Sequence, residues 1–138
     1  MNYIESVIDT NVLVSALFSK DDSNPTKIIN YMFSGKLDPV YSYLIIKEYY
    51  DVLKREKFQF NKQDIDDLIN YIIHVGHFVV PLESKIKILD ESDRKFYDAY
   101  KTQSKINKTY LVTGKLKHFP NENNILSPIA MVSLLKNQ

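Results

Sequence analysis

Asp9 stands between two apolar runs, Val7-Ile8 before it and Val12-Leu13-Val14 after it. Burying a carboxylate unpaired is costly, so that position needs a reason. One reason is structural: Asp9, Thr10 or Asn11 can cap a helix that follows a strand. Glu48 adds to the case. It shares a helical stripe with Leu44 and Val52, which places it near an apolar face. Its plainer alternative is an edge position paired with a lysine. Asp93 sits at an expected helix start, where the helix dipole favours a carboxylate. Asp90 precedes it and Asp98 follows it. Asp93 and Asp98 project differently on a regular helix, so both reach one site only if Asp93 belongs to the helix start. Hard divalent cations take oxygen ligands, and magnesium commonly uses one or two carboxylates beside several waters. Carboxylates at successive strand-to-helix junctions suit such an ion. The ion in turn suits phosphodiester chemistry, because it activates water and stabilises charge on a phosphate oxygen.

Those acids need a scaffold. Ser6-Val7-Ile8 reads as a buried strand that starts as early as Tyr3. Asn24-Pro25 reads as an N-cap and first-turn proline. Ile28, Ile29, Met32 and Phe33 then follow at helical spacing, and Gly35 is the stop. Asp38 to Tyr41 reads as a second strand, and Ser42 as the cap of a helix carrying Leu44, Ile45, Tyr49, Val52 and Leu53. Asn61 caps another helix with a stripe of isoleucine and leucine from Ile65 to Ile73. Gly76 to Val80 reads as a strand ended by Pro81. Ser92 caps a helix from about Asp93 to Ser104. Thr109 to Thr113 is the clearest strand, ended by Gly114. Asn124-Ile125-Leu126 adds an edge strand, and Ser127-Pro128 starts the last helix. Short apolar strands alternating with amphipathic helices imply an α/β fold with a parallel sheet covered on both faces. Such sheets bind ligands at the carboxyl ends of their strands.

Composition agrees. The chain has 138 residues, enough for one ordinary domain spanning 1–138, with 44% hydrophobic and 25% charged residues. No cysteine is present, which excludes disulfides and thiolate metal sites. No apolar run approaches the roughly 20 residues of a membrane span, and the start lacks a signal-peptide pattern. A cytoplasmic location without membrane partners is the expectation. The net charge of +1 neither requires nor excludes a nucleic-acid partner. His74, His77 and His118 lack metal-ligand spacing. His77 is expected to be structural, and His118, beside Phe119-Pro120, to make a turn contact, with an RNA contact as the alternative. Tyr41, Tyr43, Tyr49 and Tyr50 fall near the expected cleft, where core packing is the default and base stacking the alternative.

In order along the chain, Val7-Ile8-Asp9-Thr10-Asn11-Val12-Leu13-Val14, Glu48-Tyr49-Tyr50-Asp51-Val52-Leu53, Asp90-Glu91-Ser92-Asp93-Arg94-Lys95-Phe96, Tyr110-Leu111-Val112-Thr113-Gly114 and Ile125-Leu126-Ser127-Pro128 resemble the segments of a PIN domain. This is a metal-dependent ribonuclease fold common in toxins of bacterial toxin–antitoxin pairs. The resemblance implies a three-layer α/β/α sandwich with a mainly parallel sheet. It implies magnesium or manganese, RNA as substrate, an antitoxin partner and a homodimer. By the same resemblance Asp9, Glu48 and Asp93 are the metal-binding acids and Asp98 an additional member. Thr113, Lys115 and Asn11 are then candidate substrate contacts. The pattern breaks at one place: the family commonly carries a fourth acid after Thr113-Gly114, where this chain has Lys115. A protonated lysine cannot coordinate a metal.

Three readings follow. The first is a metal-dependent endoribonuclease, a toxin component. The second is a catalytically weakened PIN-like domain that binds RNA or protein without turnover, favoured by Lys115. The third, a phosphoryl-transfer or receiver-like domain, ranks below both. Asp9-Thr10-Asn11 lacks a second carboxylate two residues on, and the chain has no glycine-rich phosphate loop.

Overall fold

A computed structural model of the chain describes residues 3–19 and 22–138. Among these residues five strands form one parallel sheet in the order β3-β2-β1-β4-β5. The central strand β1 (Ile4–Ile8) is buried throughout, as its continuous apolar neighbours require. It is flanked by β2 (Leu37–Tyr41) and β4 (Thr109–Val112), with the short strands β3 (His77–Phe78) and β5 (Ile125–Leu126) at the edges. The chain first winds from β1 outward to β3, then returns to β4 and continues to β5. The switch in direction therefore falls between β1 and β4, where parallel sheets open a crevice at their carboxyl ends.

Among the described residues six α-helices cover the sheet in an α/β/α sandwich: α1 (Thr10–Phe18), α2 (Asn24–Phe33), α3 (Tyr43–Leu53), α4 (Lys62–Val75), α5 (Arg94–Ser104) and α6 (Pro128–Lys136). Helix α2 packs on α1 and α6, while α5 lies against β1, β2 and β4. Ser42, Asn61 and Ser127 cap α3, α4 and α6, each accepting a backbone N–H from the first turn. Ile8, Leu13, Ile28, Met32, Leu37, Ile45, Tyr49 and Phe96 are among the fully buried side chains of the core. No helix among the described residues is long and apolar enough to cross a membrane.

Strand β4 stops one residue short of Thr113 and β5 lacks Asn124, and three further boundaries differ from the sequence expectation. Ser23, not Asn24, caps α2: its hydroxyl accepts from the Thr26 N–H at 3.2 Å, and Asn24 is already helical. The strand expected over Gly76 to Val80 shrinks to His77–Phe78. Val79 still donates to the Tyr41 carbonyl at 2.9 Å, but Val80 turns out to solvent before Pro81, which has no N–H to give. Ser92 does not cap α5. A 3-10 turn, Glu91–Asp93, precedes that helix and is itself capped by the Asp90 carboxylate, which accepts from the Ser92 N–H at 3.0 Å. Asp93 then occupies the N-cap position of α5 without a capping bond from its side chain, so its carboxylate is available elsewhere.

Two carboxylates that the sequence did not single out tie α5 in place. Glu5, buried on β1, accepts from Gln103 at 2.7 Å and Asn107 at 3.1 Å. Glu122, before β5, accepts from the Tyr97 and Tyr100 hydroxyls at 2.6 and 2.7 Å and pairs with Lys101 at 3.0 Å. Burial pushes the Glu122 carboxyl up, but the bonds from Tyr97, Tyr100 and Lys101 outweigh it and hold it below its ordinary value of 4.5. A depressed carboxyl stabilises the fold above the unfolded value and loses that contribution as pH falls through the folded one. Glu122→Gln is therefore expected to lower stability at pH 7 by about 1–2 kcal/mol, from weakened charge-assisted bonds. In urea titrations the gap between the two proteins should close as the pH falls through the lowered Glu122 value. A gap that stays constant with pH would refute the assignment.

Candidate active site

Asp9 is 2% exposed and lies directly after β1, at the crevice between β1 and β4. It occupies the N-cap position of α1, yet its side chain makes no capping bond. The structural account of Asp9 thus fails at the atom that matters. Its carboxylate turns across the crevice to accept the Thr113 hydroxyl at 2.8 Å, and it accepts the Asn11 amide at 3.2 Å. The Asn11 carbonyl oxygen accepts the Gly114 N–H at 3.0 Å, and the Thr113 hydroxyl accepts the Lys115 N–H at 2.9 Å. The ends of β1 and β4 are thereby stitched together around one carboxylate. Gly114 permits the close approach: a Cβ there would come within 3.2 Å of Asn11.

Glu48 projects from α3 toward the same end. One carboxylate oxygen accepts the Thr10 hydroxyl at 2.5 Å, and the other accepts the Lys95 ammonium at 2.7 Å. Its neighbour Tyr49 is fully buried and donates to the Ile8 carbonyl at 2.5 Å, which fixes α3 to the end of β1. Burial first, then the charges of Asp9 and Glu48, push the Tyr49 phenol well above its ordinary value, so it serves only as a donor.

Asp93 is buried at the start of α5. The Lys115 ammonium reaches one of its oxygens at 3.2 Å, and His118 Nδ1 lies 3.1 Å from the other. Asp90, Asp93 and His118 bring ligand-type atoms within 4.8 Å of one another, an acidic group at the mouth of the crevice. Asp98 is buried too, but its carboxylate accepts the Ser84 N–H at 3.2 Å and so braces the segment after β3. Among the described residues none of its hydrogen bonds reaches Asp9, Glu48 or Asp93.

Burial pushes the Asp9 carboxyl up. Thr113 and Lys115 pull it back, Asp93 and Glu48 push it further, and the net result is a raised value. Asp9 thus lies within electrostatic reach of both Glu48 and Asp93. Lys115 completes the picture. Burial disfavours its charge, but Asp9, Asp93 and Asp90 outweigh that and raise its ammonium above the ordinary value, so it stays cationic. A family model described as PIN domain matches residues 5–116, which takes in Asp9, Glu48, Asp93, Thr113 and Lys115. The chain belongs to the PIN domain family. No curated protein matches it significantly.

The PIN domain is a nuclease-type fold that typically binds divalent metal ions and generally acts on RNA. The donor set here answers that chemistry in part. Asp9 offers a buried carboxylate whose hydrogen-bond partners, Thr113 and Asn11, are both neutral. Glu48 and Asp93 offer two more, each with an ammonium on one oxygen. The sequence reading offered Thr10 only as a helix cap, left the lysine partner of Glu48 unnamed, and did not place His118 beside Asp93. Lys95 was legible in principle, lying two residues after Asp93 on the helix that bears it.

Proposed function

We propose that this PIN domain is a metal-dependent endoribonuclease that hydrolyses phosphodiester bonds in RNA. The supporting observation is Asp9: a buried carboxylate at the topological switch point that caps nothing, held by neutral donors and flanked by two further acids. Asp9, Glu48 and Asp93 would hold magnesium or manganese, with Asp98 an outlying acid. When bound, the ion supplies Lewis-acid activation of water and neutralises charge on the phosphate. The chain's own groups do the rest. Thr113 and Asn11 orient Asp9. Thr10 orients Glu48. Lys115, half-exposed at the mouth, presents a cation to the RNA backbone.

Purified chain should cleave single-stranded RNA in Mn2+ or Mg2+ and lose that activity in EDTA, with magnesium restoring it. Cleavage that persists in EDTA would overturn the reading. Toxin action against the host, with neutralisation by an antitoxin and assembly as a homodimer, extends it. Growth arrest on expression, relieved by an adjacent gene's product, would support that extension. The specific observation favouring a weakened, RNA-binding alternative is Lys115 at the fourth acidic position, paired with Asp93. RNA retention without cleavage at any metal concentration would select that alternative.

A further inference from the structure

Two short 3-10 turns meet at the mouth of the crevice. Glu91–Asp93 leads into α5, and Leu116–His118 follows β4. The first is closed by the Asp93 N–H, which donates to the Asp90 carbonyl at 2.9 Å. Such a turn holds three residues per revolution, so the side chains of Asp90 and Asp93 stack on one side of it. The second is closed by the His118 N–H, which donates to the Lys115 carbonyl at 2.9 Å and turns the imidazole toward Asp93. Ligand-type atoms of Asp90, Asp93 and His118 then lie within 4.8 Å of one another. No other group of three histidine or acidic side chains converges in this way among the described residues.

Two neighbouring acids carry little by themselves. The imidazole and the burial of Asp93 carry the argument. The Asp93 side chain is 4% exposed and that of His118 33%. The Asp93 oxygens face two ways: Oδ1 takes the Lys115 ammonium at 3.2 Å, and Oδ2 lies 3.1 Å from His118 Nδ1. Two lone-pair atoms at that spacing need a cation between them. A proton on Nδ1 meets the need in the metal-free protein. With that proton on Nε2, which no described residue bonds, Nδ1 and Oδ2 become adjacent donors to one ion. Adjacent ligands at right angles, on an ion with bonds of about 2.1 Å, lie about 3 Å apart. The pair already has that edge. Asp90 supplies the third donor. Its Oδ1 is fixed by the Ser92 N–H at 3.0 Å and the Ser92 hydroxyl at 2.8 Å, while its Oδ2 has no hydrogen-bond partner among the described residues. Two carboxylates against the one Lys115 ammonium leave the place net negative before an ion arrives. An imidazole nitrogen in such a set favours a borderline dication such as Zn2+ or Co2+ over Mg2+, which takes oxygen ligands and keeps its waters.

We propose that Asp90, Asp93 and His118 form a transition-metal site at the mouth of the crevice, with His118 Nδ1 as the ligand that selects Zn2+-type ions over Mg2+. The site shares Asp93 with the acids described above but stands apart from Asp9 and Glu48. It goes beyond the nuclease reading and does not depend on RNA cleavage.

Zn2+ titration of 15N-labelled wild type, read on the histidine side chains by NMR, tests the site without any substitution. The His118 imidazole resonances should move at stoichiometric Zn2+, and those of His74 and His77 should stay. By calorimetry His118→Gln should bind Zn2+ about 100-fold more weakly and Asp90→Asn about tenfold more weakly. Mg2+ binding, measured in the same way, should not change in His118→Gln. Zn2+ that leaves the His118 resonances in place, or that moves those of His74 or His77 equally, overturns the proposal. Equal Zn2+ affinity in wild type and His118→Gln overturns it too. Zn2+ binding through His118 in a protein that cleaves no RNA with Mg2+ or Mn2+ would sink the nuclease reading and leave this site standing. Metal-dependent cleavage by a protein that binds no Zn2+ would do the reverse.

Discussion

Asp9→Asn is expected to reduce RNA cleavage by about 10³-fold while raising thermal stability in the absence of metal. The two effects have one cause. The carboxylate is buried at the end of β1, and burial together with Asp93 and Glu48 raises its pKa despite Thr113 and Lys115. A carboxyl raised in the folded state favours folding most at acid pH and loses that contribution as pH rises through its folded value. At pH 7 its ionisation therefore works against the fold. Asparagine keeps the shape and an oxygen to accept from Thr113 and Asn11, but it carries no charge to desolvate or to repel the other acids. A gain of about 1 kcal/mol would raise Tm by roughly 3 °C in a chain of this size. The gain should shrink as pH falls through the raised Asp9 value. Mn2+ reverses the order: it should stabilise wild type by preferential binding and leave the variant almost unmoved. Melting curves at two pH values, with and without Mn2+, measure all of this. An Asp9→Asn protein that is less stable and still cleaves RNA would show that Asp9 serves packing.

Much of this arrangement is legible in the sequence, and what is not has identifiable physical causes. The strands around β1 announce themselves because a parallel sheet buried on both faces demands continuous apolar runs. The acids at its edge stand out against those runs, as Asp9 does between Val7-Ile8 and Val12-Leu13. The stripe that drew attention to Glu48 is less faithful: Leu44 is exposed, and α3 buries Ile45, Tyr49 and Leu53 instead. What pattern cannot carry is the partner of each acid. Whether Asp9 caps α1 or crosses to Thr113 depends on a side-chain rotation, and both outcomes suit the same residues. Ser92 fitted the capping rule, yet the turn before α5 took one extra residue and moved the cap to Asp90. That shift freed Asp93 for Lys115 and His118. Spacing alone likewise does not show that Asp98 accepts the Ser84 N–H. Lys95 was anticipated only as the unnamed lysine of the plainer alternative for Glu48. A lysine at a helix start looks like solvated surface until the tertiary fold brings Glu48 within reach.

Lys115→Asp is expected to tighten Mn2+ binding by about 10- to 100-fold and to lower the stability of the metal-free protein. Lys115 now neutralises Asp93 at 3.2 Å and acts on Asp9 through space. Replacing it removes that cation and places a fourth carboxylate among acids that already repel. Without metal the folded state carries the whole repulsion, so Tm should fall. Mn2+ should restore it, with a larger shift than wild type shows. Lys115→Ala separates the two contributions, since it removes the cation without adding a ligand and should fall between wild type and Lys115→Asp in affinity. Cleavage then divides the two roles of this residue. If the site lacks only a ligand, cleavage rises with metal affinity. If Lys115 holds the substrate phosphate, cleavage falls in both variants although the metal binds more tightly, and the RNA affinity falls with it. The second pattern is the one its geometry favours, because the ammonium is half-exposed at the mouth of the crevice while its backbone N–H is anchored to Thr113. An unchanged Mn2+ affinity in Lys115→Asp would count against a simple missing-ligand account of the site.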